Sequence, residues 1–124
     1  MTVLADTSVW IDHWRHGNSR LEQLLLQSRI VVHPFVIGEI ALGAVAARAT
    51  VLEHLAALPA ARLARHHEVL HLVDRARLRR RGIGWVDAHL LASALLDQIP
   101  LWTLDHALSR AARELGVAPP PPPH

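Results

Sequence analysis

Thr2-Val3-Leu4-Ala5-Asp6-Thr7-Ser8-Val9-Trp10 runs from a short apolar stretch through one acid into two hydroxyl residues and a tryptophan. Thr2 to Ala5 reads as a buried strand. Thr7 or Ser8 caps a following helix that carries Trp10 and Trp14 at i, i+4. Strand, acid, then helix recurs at one other place, where Asp105 follows Leu101-Trp102-Thr103-Leu104. Ile30–His33 and Pro100–Leu104 read as further strands. Helical segments are expected around Leu21–Leu25, from Pro34 to about Ala47, and over Val51–Leu58, Ala64–Arg81, Val86–Leu96 and His106–Leu115. Val117-Ala118 adds a short edge strand. Strands alternating with helices predict an α/β fold with a mainly parallel central sheet.

A chain of 124 residues is expected to form one domain, here residues 1–118, with enough buried surface to need no disulfide. Residues 119–124 are five prolines and a histidine, a tail expected to be extended and disordered. There is no cysteine, which fits a reducing compartment. The opening residues lack a secretory pattern. The most apolar stretch, Ile30–Ala47, is interrupted by His33, Pro34, Gly38, Glu39 and Gly43, so no membrane span is expected. The expected location is the cytoplasm.

All 13 Lys+Arg residues are arginine. The sequence pI of 10.9 therefore overstates a net charge of only +2. The local feature is the cluster Arg75, Arg77, Arg79, Arg80 and Arg81. It either meets phosphates, which guanidinium grips in a bidentate way, or forms a solvated helix face.

Asp6, Glu39, Asp87 and Asp105 are lone acids set in apolar stretches. Asp6 and Asp105 follow predicted strands, and ligands of open α/β sheets bind at the carboxyl ends of strands. Glu39 shares a helical stripe with Phe35, Leu42, Gly43 and Ala46. Asp87 shares one with Leu90, Leu91 and Ala94, while His89, Ser93 and Asp97 mark the opposite, polar side. Taken singly, Asp6 and Asp105 suit helix N-caps, and Glu39 and Asp87 suit partners of a buried arginine. Taken together, four carboxylates on one rim repel one another unless a cation meets them, and the chain has no lysine to do so. Hard oxygen donors of this kind suit Mg²⁺ or Mn²⁺. One such ion, or two held about 4 Å apart, activates water and stabilises both oxygens of an in-line phosphoryl displacement. Thr103, two residues before Asp105, faces the same side and either bonds a ligand or water or serves as a core hydroxyl. Ser8 has the same two readings.

These residues resemble a known family. Leu4-Ala5-Asp6-Thr7-Ser8-Val9-Trp10-Ile11-Asp12 is similar to the opening of PIN-domain proteins, most closely the VapC-type toxins of bacterial toxin–antitoxin pairs. Gly38-Glu39-Ile40-Ala41-Leu42-Gly43, Gly82-Ile83-Gly84-Trp85-Val86-Asp87-Ala88 and Leu101-Trp102-Thr103-Leu104-Asp105 are similar to the later acidic motifs. The resemblance covers nearly the whole chain except the proline tail. It implies a three-layer α/β sandwich and Mg²⁺- or Mn²⁺-dependent endoribonuclease activity. It implies Asp6, Glu39, Asp87 and Asp105 as metal-binding and catalytic acids, with Thr103 as an accessory group. It also implies an RNA substrate, a small cognate antitoxin and a homodimer. Asp12 falls in the first motif but reads as a solvent-side helix residue. Trp85 and Trp102 stand beside motif acids, as core residues or as surfaces on which a base stacks.

Other chemistries are set against this. His67-Glu68-Val69-Leu70-His71 matches the H-E-x-x-H pattern of zinc proteases, without a third ligand at a recognised spacing. With 10 histidines in the chain, chance matches to this pattern are not rare. A P-loop needs a lysine the chain lacks. An aspartyl phosphotransfer enzyme usually needs one too, and often a second acid where Ser8 stands. A non-catalytic module that binds RNA or a partner keeps the same fold.

Overall fold

The computed structural model describes residues 1–120. Its sheet has the order β2-β1-β3, with β1 Val3–Ala5, β2 Ile30–Val31 and β3 Leu101–Trp102. Both pairings are parallel, with Val3 opposite Ile30 and Leu4 opposite Leu101. β1 is central and wholly buried, as an uninterrupted apolar run in a parallel sheet should be. Around it lie α1 Thr7–His16, α2 Ser19–Leu26, α3 Pro34–Leu42, α4 Arg48–Ala56, α5 His66–Arg75, α6 Trp85–Asp97 and α7 His106–Glu114. The α/β fold with a parallel sheet anticipated from the alternation of elements is the one that forms. Among the described residues no helix is long and apolar enough to cross a membrane.

The parallel connections send the carboxyl ends of the strands to one edge. There β1 delivers Asp6, β2 leads through His33 into α3, and β3 leads through Thr103 to Asp105. Pro34 occupies the first turn of α3, where its missing N–H is not needed. His33, fully buried, caps that helix: its Nδ1 accepts from the Phe35 N–H at 2.9 Å. The proton therefore sits on Nε2, which lies 3.0 Å from Ser93 Oγ of α6. One imidazole thus starts α3 and pins it to α6.

Several boundaries differ from the sequence reading. The N-cap of α1 is Asp6, not Thr7 or Ser8. The helix from Pro34 stops at Leu42, not Ala47. Ala47 there is left-handed (φ 53°), and the Arg48 Nε donates to the freed Ala41 carbonyl at 2.9 Å. The long helix expected over Ala64–Arg81 is split. α5 ends at Arg75, Arg77 is left-handed (φ 54°), and Leu78–Arg80 form a short 3₁₀ helix. Val69 and Leu72 form the buried stripe of α5, and Leu78 is buried too. A continuous helix would carry Leu78 roughly 120° away from that stripe; the break returns it to the core. The arginine cluster is consequently not one face of one helix.

Val117-Ala118 does not form a regular strand, although the Val117 carbonyl accepts from the Leu101 N–H at 2.7 Å. The tail expected over 119–124 falls mostly outside the described residues. At its start the Arg20 guanidinium donates to the Pro120 carbonyl at 3.3 Å.

Candidate active site

Asp6 is buried at the end of β1. Its Oδ2 accepts from Ser8 Oγ and from Thr103 Oγ1, each at 2.8 Å. Those hydroxyls are 3.3 Å apart and are oriented in turn by the chain beyond β3. The Leu104 N–H donates to Ser8 Oγ at 3.0 Å, and the Asp105 N–H donates to Thr103 Oγ1 at 3.1 Å. A hydroxyl that accepts from an amide can donate only elsewhere, so both point at the carboxylate. The knot ties β1 to β3 and fixes Asp6. Because both bonds fall on Oδ2, Oδ1 stays available.

Glu39 lies on the open side of α3, and its Oε1 accepts from Thr7 Oγ1 of α1 at 2.8 Å. Asp87 is half-buried in the first turn of α6. Asp105 is exposed and caps α7, its Oδ2 accepting from the Leu108 N–H at 2.8 Å. Burial pushes the Asp87 carboxyl up to about 6; the charges of Asp6, Asp105 and Glu39 push it the same way, while the Gly84 backbone N–H opposes them. The four acids therefore share one electrostatic field despite their separation along the chain. Among the described residues none of the four is in an ion pair; the pairs that exist involve other acids.

The donor set fits a hydrated hard cation better than a bare one. Among the described residues no three carboxylate or imidazole side chains converge closely enough to cage an ion by themselves. Mg²⁺ retains several waters and needs only one or two direct carboxylates. Uncompensated repulsion at Asp87 and the available Oδ1 of Asp6 are what such an ion would meet.

Two sequence arguments about the acids change. Glu39 is exposed, and its expected stripe partners Leu42, Gly43 and Ala46 are exposed with it. The buried face of α3 is Val36 and Ile40. On α6 the side expected to be polar is closed: Ser93 and His89 are both buried. His33 and Phe35 cover that side, with the Phe35 and His89 rings 4.6 Å apart. Asp97 pairs with Arg62 at 3.3 Å. Trp102 is core, with Arg20 over its ring at 5.1 Å. Trp85 is not core; it is 42 % exposed. Thr7, read from the sequence only as a candidate helix cap, holds Glu39. Its only sequence signal is its position between Asp6 and Ser8.

The H-E-x-x-H segment is not arranged for protease chemistry. Glu68 Oε1 accepts from the Arg65 N–H at 2.8 Å, closing the N-terminus of α5. No third metal ligand joins His67 and His71 among the described residues.

Comparison with known proteins agrees with the geometry. Residues 3–114 match the PIN domain family. The chain belongs to the PIN-domain family. Within it the likeness is to the VapC type: Ribonuclease VapC32 of Mycobacterium tuberculosis, in strains CDC 1551 / Oshkosh and ATCC 25618 / H37Rv, is 49% identical over 117 residues, 94% of either chain. The crystal structure of PAE2754 from Pyrobaculum aerophilum matches with a TM-score of 0.62 at 19% identity, covering 90% of this chain and 79% of that one. That likeness concerns the fold alone. In this PIN domain the four acidic motifs coincide with the ends of β1 and β3 and with α3 and α6.

The crowding at Asp87 has a measurable consequence. A carboxyl raised from 3.8 to about 6 binds protons more tightly in the folded chain than in the unfolded one. Stability of the metal-free protein falls as pH rises through that window. Asp87→Asn removes the penalty. At pH 7 it should stabilise the metal-free PIN domain by about 1 kcal/mol, after discounting for solvent screening. Added Mn²⁺ should raise the wild-type melting temperature more than that of the variant, because binding to the folded state alone adds stability. Urea and thermal melts with and without metal check both. A variant less stable than wild type at pH 7 would show that Asp87 is not under electrostatic strain.

Proposed function

We propose that this chain is a metal-dependent endoribonuclease, the toxin of a toxin–antitoxin pair, hydrolysing RNA phosphodiester bonds at Asp6, Glu39, Asp87 and Asp105. The observation that carries this reading is the shared field at Asp87, to which the other three acids contribute and which no cationic side chain relieves. The 49% identity to a protein named a ribonuclease supports it, and divalent metal use is the general property of PIN-domain ribonucleases. Mg²⁺ or Mn²⁺ matches the all-oxygen donor set.

When bound, such an ion supplies an activated water and charge stabilisation at the phosphate. The chain's own residues do the rest. Ser8 and Thr103 hold Asp6 in one orientation. Thr7 does the same for Glu39. Asp105 is held by the α7 N-terminus. Thr103 is a positioning residue on this account, acting through Asp6 and the Asp105 backbone. Asp87, whose carboxyl is pushed up to about 6 by burial and then by the neighbouring acids, suits water orientation as well as ligation.

Large apolar side chains stand exposed beside three of the acids: Leu42 (92 %), Trp85 (42 %) and Leu104 (48 %). Such a rim suits a protein partner that covers the site, which supports a cognate antitoxin. A homodimer, a cytoplasmic location, and a division into a nuclease domain over 1–118 and a tail over 119–124 complete the proposal.

Purified protein should cut RNA in Mg²⁺ or Mn²⁺, stop on chelation and resume when metal is restored. His71→Ala should leave that activity unchanged; a peptidase activity that this substitution abolishes would instead favour the zinc-protease pattern. RNA retained without cleavage under either metal would favour a non-catalytic binding module.

A further inference from the structure

The connection between α5 and α6 carries a patch of arginines that the acid centre does not use. Arg77, Arg79 and Arg80 are exposed and, with Val73 and Asp74, line a concavity of about 560 Å³. Arg80 also lines a second one, of about 360 Å³, with Arg81, Ala107, Arg110 and Glu114. The two therefore meet at Arg80. Arg81 is paired with Glu114. Among the described residues Arg77, Arg79, Arg80 and Arg110 are in no ion pair, and Asp74 lies beyond ion-pair distance of them. Four guanidiniums thus stand together with one unpaired carboxylate among them.

The backbone is bent to make this patch. Arg77 adopts the left-handed conformation (φ 54°), which is uncommon for a residue with a long side chain. The bend sends Leu78 into the core and leaves Arg79 and Arg80 outside. Along the chain the patch adjoins two of the acids. Ala107 is in the first turn of α7, two residues after its N-cap Asp105. Arg81 precedes Asp87 across the short Gly82–Val86 segment.

We infer that Arg77, Arg79, Arg80 and Arg110 form a track for the backbone phosphates of RNA, holding the strand outside the scissile position and leading it to the acid centre. The inference rests on the ribonuclease reading above. Guanidinium matches phosphate in planar, bidentate fashion. Such contacts fix register without reading sequence. An acidic protein is the poorer match, because interfaces between proteins need a buried apolar centre and this patch offers only Val73 and Ala107.

The test uses the full chain carrying Arg79→Ala, Arg80→Ala and Arg110→Ala together, all at exposed positions. The control is Arg15→Ala with Arg29→Ala, exposed arginines outside the patch. Binding of a fluorescent 20-nucleotide RNA in chelator is measured against salt. The triple variant should bind at least about tenfold more weakly, and its log K against log salt slope should be shallower by about 2, three single-strand phosphate contacts at roughly 0.7 each. The control should keep the wild-type slope. With metal, kcat/KM on the long RNA should fall by a similar factor, while on a trinucleotide it should stay at the wild-type value.

An unchanged slope, or equal losses in the control and the triple variant, would overturn the track. Loss of polyglutamate binding with RNA binding intact would overturn it in favour of an acidic protein. Failure of wild type to cut either RNA would instead count against the ribonuclease reading, and the metal-free binding arm would still decide the track.

Discussion

Asp6→Asn and Asp87→Asn each lower RNA cleavage on the order of 10³-fold, the scale seen when a preorganised electrostatic contact to the reacting centre is removed. The two substitutions are isosteric, so lost activity is not lost fold. At position 6 the amide oxygen of asparagine still accepts from Ser8 and Thr103, which now bond Oδ2 at 2.8 Å. The change falls on the other atom: an acceptor that would face a bound cation becomes an NH₂ donor. The negative charge that would meet the ion is gone while the knot between β1 and β3 survives. At position 87 the substitution removes the acid whose proton affinity burial, and then the other three acids, raise. Circular dichroism and melting curves should show folded protein in both cases, and Asp87→Asn should be at least as stable as wild type without metal. Single-turnover cleavage with saturating Mn²⁺ is the deciding measurement. Activity within a few-fold of wild type in either variant would remove that residue from the site.

Acid should destabilise the fold through His33. Burial, and then the nearby charge of His89, lowers this imidazole from 6.5 to about 4. The unfolded chain therefore binds a proton that the folded chain refuses. The contribution of neutral His33 is fully present above pH 6.5 and is lost as pH falls through about 4. The loss amounts to about 3 kcal/mol. Protonation also destroys geometry, because Nδ1 can no longer accept from the Phe35 N–H. The α3 cap and the link to Ser93 on α6 are then in conflict with the charge they surround. Those are the two helices that carry Glu39 and Asp87, so acid loosens the site along with the fold.

Asp87 works in the opposite direction over part of the same range. The informative quantity is therefore the difference between wild type and His33→Asn, in which the Asp87 effect cancels. Denaturant melts between pH 7 and pH 4 should give a steep wild-type decline and a shallower one for His33→Asn. Parallel curves would show that His33 titrates alike in both states.

The four acids were legible because each breaks an apolar run, and charge among apolar residues has few stable outcomes. The strand–helix order was legible for a related reason: β1 is apolar at successive positions and buried on both faces, which leaves little choice of partner. Glu39 shows where that reasoning stops. The helix around it is apolar on every side, so its stripe with Leu42 looked like a core face. Packing against α1 and α4 selected Val36 and Ile40 instead. The same ambiguity on α6 placed His89 and Ser93 outside in the sequence reading, although His33 and Phe35 bury them. Trp85, which the sequence left as either core or a stacking surface, is exposed. The long helix over Ala64–Arg81 looked continuous because nothing in Arg75-Ala76-Arg77-Leu78 is a helix breaker. The break answers to Leu78, whose burial is a demand of the core and not of the local sequence.

By itself, then, the order of residues determined the chain of strands and helices and the parallel sheet, and singled out the four acids as candidates, because apolar runs and isolated charges each have a strong local preference. Tertiary structure alone decided which helix faces close, how Asp6 is gripped by hydroxyls from both ends of the chain, and how Arg77 turns a row of arginines into a patch. Those outcomes depend on contacts between segments far apart in sequence, where several local solutions have nearly equal energy until packing chooses among them.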